Sequence, residues 1–137
     1  MQFKEPLTIR HIEEKKLMAK YPKIFIQQDL PVTHTAMCWG LDCGVGWYPL
    51  IDALCAQLQF DIDNNKQPQI EATQVKEKFG MLRFYVNGST DRQEAMIDFA
   101  EYLSGVICEL CGTFNDVSQN KSGWIQTLCK PCRSENG

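Results

Sequence analysis

The rhythm of apolar and polar positions changes several times along this chain. From Tyr48 to Phe60 the apolar residues Leu50, Ile51, Leu54 and Leu58 recur at helical spacing, and Pro49 suits a first turn, which predicts a helix over that span. "DIDNNKQPQ" follows as a polar loop. Further on the period falls to two: Leu82, Phe84 and Val86 alternate with Arg83, Tyr85 and Asn87, the pattern of a half-buried strand. Gly80 marks a turn from the preceding Ile70–Lys78 segment, so the two runs predict an antiparallel hairpin. After "NGST" the helical period returns, with Thr90 or Asp91 as cap and Gln93 or Glu94 three residues on. Met96, Phe99, Ala100, Leu103 and Ile107 form its apolar stripe and deliver the chain to Cys108. At the other end, Pro6 to Lys20 predicts a helix capped by Thr8, with Ile9, Ile12 and Leu17 as a loose apolar face. Pro22 then stops it.

Together these elements predict an α+β fold of about three helices and an antiparallel β-hairpin. The 137 residues suit one folding unit, with a body over 1–107 and a small cysteine-bearing subdomain over 108–137 packed on it. Composition adds little: 44% hydrophobic and 23% charged residues are those of an ordinary globular protein. No apolar run approaches the roughly 18 to 20 residues that cross a bilayer, and "MQFKEPLTIRHIEEKK" lacks the apolar core of a secretory signal. The expectation is a cytoplasmic protein with no membrane partner.

Charge changes the picture more. Residues 24–104 carry five Lys/Arg against eleven Asp/Glu, whereas residues 1–23 carry six against three. An acidic middle is a poor attractor for phosphate backbones, so sequence-independent nucleic-acid binding loses weight.

The strongest chemical signal is "CELCGTFNDVSQNKSGWIQTLCKPC". Cys108 and Cys111 form one C-x-x-C pair, Cys129 and Cys132 a second, seventeen residues apart. In a reducing compartment such cysteines read as metal ligands before disulfides, and an odd total of seven agrees. Each pair supplies one edge of a thiolate tetrahedron, which fits a structural Zn2+. Gly112 lets the backbone fold around the Cys111 sulfur. "WIQTL" predicts a short strand returning to the second pair, giving a zinc-ribbon-like pair of knuckles. Only "RSENG" follows, so no recognition helix is expected there. A thioredoxin-like redox pair would begin a helix in a βαβ setting; Cys108 instead ends one. Catalytic zinc keeps an open position, which four cysteines fill.

Other residues carry weaker signals. His34, Cys38 and Cys43 invite a second metal site, or a Cys43 nucleophile at a helix N-terminus, against the plainer reading of Cys38, Cys43 and Cys55 as small buried residues beside Trp39 and Trp47. His11 reads as a surface residue. "GVG" lacks the frame of a phosphate loop. Trp47, Tyr48, Phe79, Phe84 and Tyr85 form a candidate stacking platform, in which alternation assigns Phe84 to the core and Arg83 with Tyr85 to the opposite face. No nucleophile, base and orienter can be assembled, so no enzyme is expected.

The pieces "YPKIF", "MCWGLDCGVGWYPLIDALC", "VKEKFGMLRFYVNG", "AMIDFAEYLS", "CELCG" and "GWIQTLC" span most of the chain from Tyr21 to Cys132. In this combination the chain resembles a family of small uncharacterised proteins carried by bacteriophages and prophages. It departs from that pattern at Val45, where the family typically has an acid, and at Cys132, where it often has His. The resemblance implies the context of a viral accessory gene in a bacterial host cell. The resulting expectation is a non-catalytic structural-zinc protein that binds a host or viral protein, with inhibition of a host defence complex as its consequence. The alternative is a zinc-ribbon regulator of transcription or replication that binds nucleic acid through Lys121, Lys130 and Arg133. The candidate binding surface thus comprises Arg83, Tyr85, Trp47, Lys121, Lys130 and Arg133.

Overall fold

The computed structural model describes residues 7–121 and 123–136, and its architecture mixes helices with strands in an α+β arrangement. The elements in chain order are α1 (Leu7–Lys20), β1 (Leu41–Asp42), α2 (Tyr48–Asn64), β2 (Ala72–Lys78), β3 (Met81–Val86), α3 (Asp91–Ser104), β4 (Val117–Gln119), β5 (Thr127–Cys129) and α4 (Lys130–Asn136). Pro6, the expected start of the first helix, lies outside the described residues. Thr8 is already helical and so does not cap α1.

The expected apolar face of α1 is corrected. Leu17 is buried as expected, but Ile9 and Ile12 are exposed, and Glu14 and Met18 are buried in their place. Glu14 earns its burial as a hydrogen-bond acceptor, since its carboxylate receives the Leu41 amide at 2.8 Å where β1 begins. β1 lies parallel to β2, and β2 is antiparallel to β3 with Val75 opposite Phe84. The β2–β3 turn places Phe79 at φ 54° and Gly80 at φ 80°. Two successive positive φ values match the right-handed twist of a hairpin, but Phe is an unusual occupant of the first.

α2 continues through Asn64, four residues beyond the expected end, so "DIDN" is helical and not loop. The extension places Asp61 on the buried face after Leu54 and Leu58. Arg92 of α3 meets it with two hydrogen bonds, at 2.5 and 3.1 Å. α3 starts at a full capping box between Thr90 and Gln93. Its buried positions are Gln93, Ile97, Ala100 and Ser104. Of the expected stripe, Ala100 and Ile107 are buried and Met96 and Leu103 pack partly against the core, so the buried face is turned only slightly from it. Phe99 is exposed.

The reason for that rotation is the free edge of β3. Ser104 accepts the Leu82 amide at 2.9 Å and Glu101 accepts the Phe84 amide at 2.8 Å, so α3 satisfies an edge that would otherwise offer bare N–H groups. Beneath the helices lies one core, with Ile24, Phe25, Met37, Leu41, Trp47, Ile51, Leu58, Ile70, Val75 and Leu82 all fully buried.

The Arg92 contact holds the Asp61 carboxyl below the usual carboxylate range, with the Asn65 amide adding to the effect. A depressed folded-state pKa contributes stability above the unfolded value of about 4, and that stability is lost as pH falls through the folded value. Urea midpoints of the wild type and Asp61→Asn should therefore differ most near neutrality and converge as the pH falls through the folded-state pKa of Asp61. A gap that persists unchanged at low pH would contradict this assignment.

Candidate metal centre

Sequence order alone builds the first half of the site. After α3 the chain turns at Cys108, where the Cys108 amide donates to the Thr113 carbonyl and the Gly112 amide returns to the Cys108 carbonyl, both at 2.9 Å. Gly112 sits at φ 84°, a left-handed position that suits glycine. The result is a tight knuckle around two sulfurs. β4 and β5 then form a short antiparallel hairpin, with Val117 opposite Cys129. Cys129 ends β5 and Cys132 lies in the first turn of α4.

This differs from the expected ribbon. The second pair sits on a strand-to-helix junction and not on another knuckle, and a short helix does follow. Pro131 explains the helix start, because its fixed φ and missing N–H fit a first turn.

The four sulfurs lie within 4.8 Å of one another and can hold a metal ion. Cys111 and Cys129 sulfurs are 3.6 Å apart. A tetrahedron with metal–sulfur bonds of about 2.3 Å has an edge of about 3.8 Å, so the spacing fits. Cys108 and Cys129 are buried, Cys132 half-buried and Cys111 exposed. Burial would raise the Cys108 thiol, but backbone N–H groups of Cys111, Cys129 and Leu110 outweigh it and bring it to about 7.

What fastens this site to the body was not legible as chemistry in the sequence. The Gly46 amide donates to the Glu109 carbonyl at 2.8 Å, the Gly44 amide to the Glu109 carboxylate at 2.9 Å, and the Trp47 indole N–H to the Ile107 carbonyl at 2.9 Å. Glu109 is 2% exposed. A Cβ on Gly46 would stand 2.3 Å from the Cys108 carbonyl oxygen, and one on Gly44 2.4 Å from that of Glu109. "GVG" is thus a backbone-docking loop whose anion is Glu109. The available signal was the glycine pair itself, which marks close backbone approach.

A second clasp lies at the β2–β3 turn. Thr127 of β5 donates to the Gly80 carbonyl at 2.5 Å, and the Glu109 amide donates to the Thr127 carbonyl at 2.9 Å. The body and the cysteine-bearing segment are therefore joined at these two places.

The other candidates separate. His34 and Cys38 are exposed and Cys43 is fully buried; among the described residues only the C-terminal tetrad gathers as a ligand group. Burial, aided by Glu109 and Asp42, pushes the Cys43 thiol well above its ordinary value, the opposite of an activated nucleophile. Cys55 is buried as expected, whereas Cys38 and Trp39 are exposed and do not join the core. Trp47 is fully buried, so it leaves the candidate binding surface and the stacking platform. Phe84 is core, while Tyr85 is exposed beside Arg83, whose guanidinium lies 3.8 Å from Glu101. Lys121 and Lys130 are exposed. Arg133 donates to the Leu128 and Asp116 carbonyls at 2.6 and 3.2 Å, which anchors α4 on the hairpin.

Comparison of the chain with protein-family models, curated proteins and solved structures returns no match.

Two outcomes follow from this geometry. Gly46→Ala should lower Tm by roughly 5–10 °C through overlap with the knuckle backbone, read by differential scanning calorimetry; an unchanged Tm would mean the loop is not docked. Of the seven cysteines, Cys38 alone should react rapidly with a thiol reagent in the metal-loaded protein, and the four ligand cysteines should join it after chelation.

Proposed function

We propose that the chain is a non-catalytic protein-binding module whose C-terminal unit is braced by a structural zinc ion on Cys108, Cys111, Cys129 and Cys132. Thiolate ligands select zinc or iron, and four of them leave no open position for substrate. The unit has little core of its own: Cys108, Leu128 and Cys129 are buried, with Leu110, Val117 and Cys132 packed partly against them. So small a cluster orders poorly unaided, whereas a structural zinc contributes about 10–16 kcal/mol in finger peptides at neutral pH. The metal is the larger effect.

The observation that carries the binding reading is a hollow of 310 Å³ where the braced unit meets the β2–β3 turn. It is lined by Glu77, Lys78, Phe79, Gly123, Trp124 and Ile125. Phe79 and Trp124 are 68% and 60% exposed. Exposed aromatics around a fixed hollow are the usual anchors of protein recognition, since they bury large area at low entropic cost. Phe79 also holds a backbone conformation that favours glycine, which a solvated tip has no reason to keep. The resemblance to phage accessory proteins directs the search toward bacterial host proteins, including defence complexes. The nucleic-acid alternative is weaker, because Arg133, the central cation of its surface, is committed to two backbone carbonyls.

The test is affinity capture from bacterial lysate with zinc-loaded protein. One zinc per chain by elemental analysis, and a stoichiometric protein partner lost with Trp124→Ser, are expected. Iron at the site, or recovery of nucleic acid without protein, would overturn the reading. So would the absence of any stoichiometric partner.

A further inference from the structure

α2 and α3 run side by side in opposite directions, since Arg92 at the start of α3 binds Asp61 near the end of α2, while Leu50 and Leu103 line one hollow at the other end. That hollow, of 210 Å³, is lined by Leu50, Ala53, Leu54, Met96, Phe99 and Leu103 among others, and its surface is almost wholly apolar. Its floor is the junction between the helices.

The outward faces of both helices continue the apolar surface. On α3, Ala95, Phe99 and Tyr102 are exposed at positions i, i+4 and i+7; on α2, Ala53, Ala56 and Phe60 are exposed at i, i+3 and i+7. A solvated helix pair carries polar residues there. Small alanines between larger side chains leave a trough along the helices. α3 alone runs 14 residues, about 20 Å, enough to lie along several turns of another helix.

Charge decides what fits the trough. α2 and α3 together hold seven carboxylates, Asp52, Asp61, Asp63, Asp91, Glu94, Asp98 and Glu101, and one cation, Arg92. Lys20 pairs with Asp52, Arg92 with Asp61, and Arg83 with Glu101. Asp63, Asp91, Glu94 and Asp98 are exposed and form no ion pair among the described residues. By the helical period, Asp91 and Asp98 follow the Ala95–Tyr102 stripe on its outer side, and Asp63 flanks Phe60 on the other helix. The apolar trough therefore has acidic banks.

We propose that this trough is a docking site for a basic amphipathic helix of a partner protein, distinct from the Phe79–Trp124 hollow. Its apolar face would fill the trough at i, i+3, i+4 and i+7 while its Lys and Arg meet the banks, the helix-in-groove mode of recognition. A second copy of this chain is a poorer occupant, because it would bring the three bank carboxylates against three more. A nucleic acid is repelled by the same banks.

The experiment uses the full metal-loaded chain and two synthetic 16-residue amphipathic helices with the same Leu face, one bearing Lys and the other Glu on the polar face. Binding is followed by amide chemical shifts and by fluorescence anisotropy. The Lys helix should shift resonances of 50–60 and 95–103, bind at least tenfold more tightly than the Glu helix, and weaken several-fold between low and physiological salt. Ala53→Glu and Phe99→Ser should each weaken it tenfold or more, while Trp124→Ser leaves it unchanged. Both substituted positions are exposed, and amide shift dispersion verifies their folding. Equal binding of the two helices, shifts elsewhere on the surface, or no binding would overturn the proposal. A dimer by light scattering that Ala53→Glu dissociates would assign the trough to a second copy and overturn it as well. These results are separable from the zinc-braced hollow, since lysate capture that depends on Trp124 stands whether or not the trough binds.

Discussion

The contact on which the rest of the structure depends is the approach of one backbone to another: the Gly46 amide against the Glu109 carbonyl, with no room for a side chain between them. Close packing of main chain on main chain fixes the knuckle's position more tightly than side-chain contacts would, because neither partner has rotamers. The very next residue, Trp47, lies fully buried in the body and donates from its indole to Ile107. Two residues thus join the hydrophobic core to the backbone that carries Cys108, the first of the four clustered cysteines. Cys108 is thereby tied to the core, while Cys111, Cys129 and Cys132 lie beyond it in the chain.

The same logic extends outward through the second clasp. Glu109 holds Thr127, Thr127 holds Gly80, and Gly80 sits in the turn that presents Phe79. Loosening the sulfur cluster would therefore be felt at an exposed aromatic in another element. α3 is constrained at the β3 edge by a different demand. Its Ser104 and Glu101 must reach the β3 edge, which rotates Phe99 out of the core and toward solvent. Satisfying backbone donors took priority over burying one more ring, as the cost of an unpaired buried donor, about 1–3 kcal/mol, predicts when a ring can remain half-packed elsewhere.

The sequence was informative where a local rule acts alone. The period of two over Leu82–Val86, the Thr90–Gln93 cap and the paired cysteines each rest on neighbours within a few residues, and each has a counterpart in the structure. It was uninformative where distant partners decide. The last turn of α2 looks polar because Asp61 is stabilised by an arginine thirty-one residues away. Trp47 looked like a surface aromatic because its polar partner, the Ile107 carbonyl, lies on the far side of the hairpin and α3 in sequence. β1 is two residues long and exists only through pairing with β2, so no periodicity could reveal it. The helix that begins at Lys130 was not expected, although Pro131 suits a first turn.

The glycine loop shows how groups that look reactive in the sequence are engaged within the fold. Consecutive amides near a helix start commonly bind an external anion. Here the Gly44 amide binds the Glu109 carboxylate, an internal anion, while the Gly46 amide takes the Glu109 carbonyl, and that carboxylate in turn raises the cost of ionising Cys43. A loop that carries its own anion has no vacancy for phosphate, and a thiol surrounded by carboxylates has no thiolate to offer. The tetrad closes on itself in the same way, with Cys108 stabilised by backbone N–H groups and the other sulfurs gathered round it. Glu109, Cys43 and Cys108 are thus tied into the fold, and the proposed aromatic hollow and acid-banked trough are the solvent-facing surfaces that a recognition role would use.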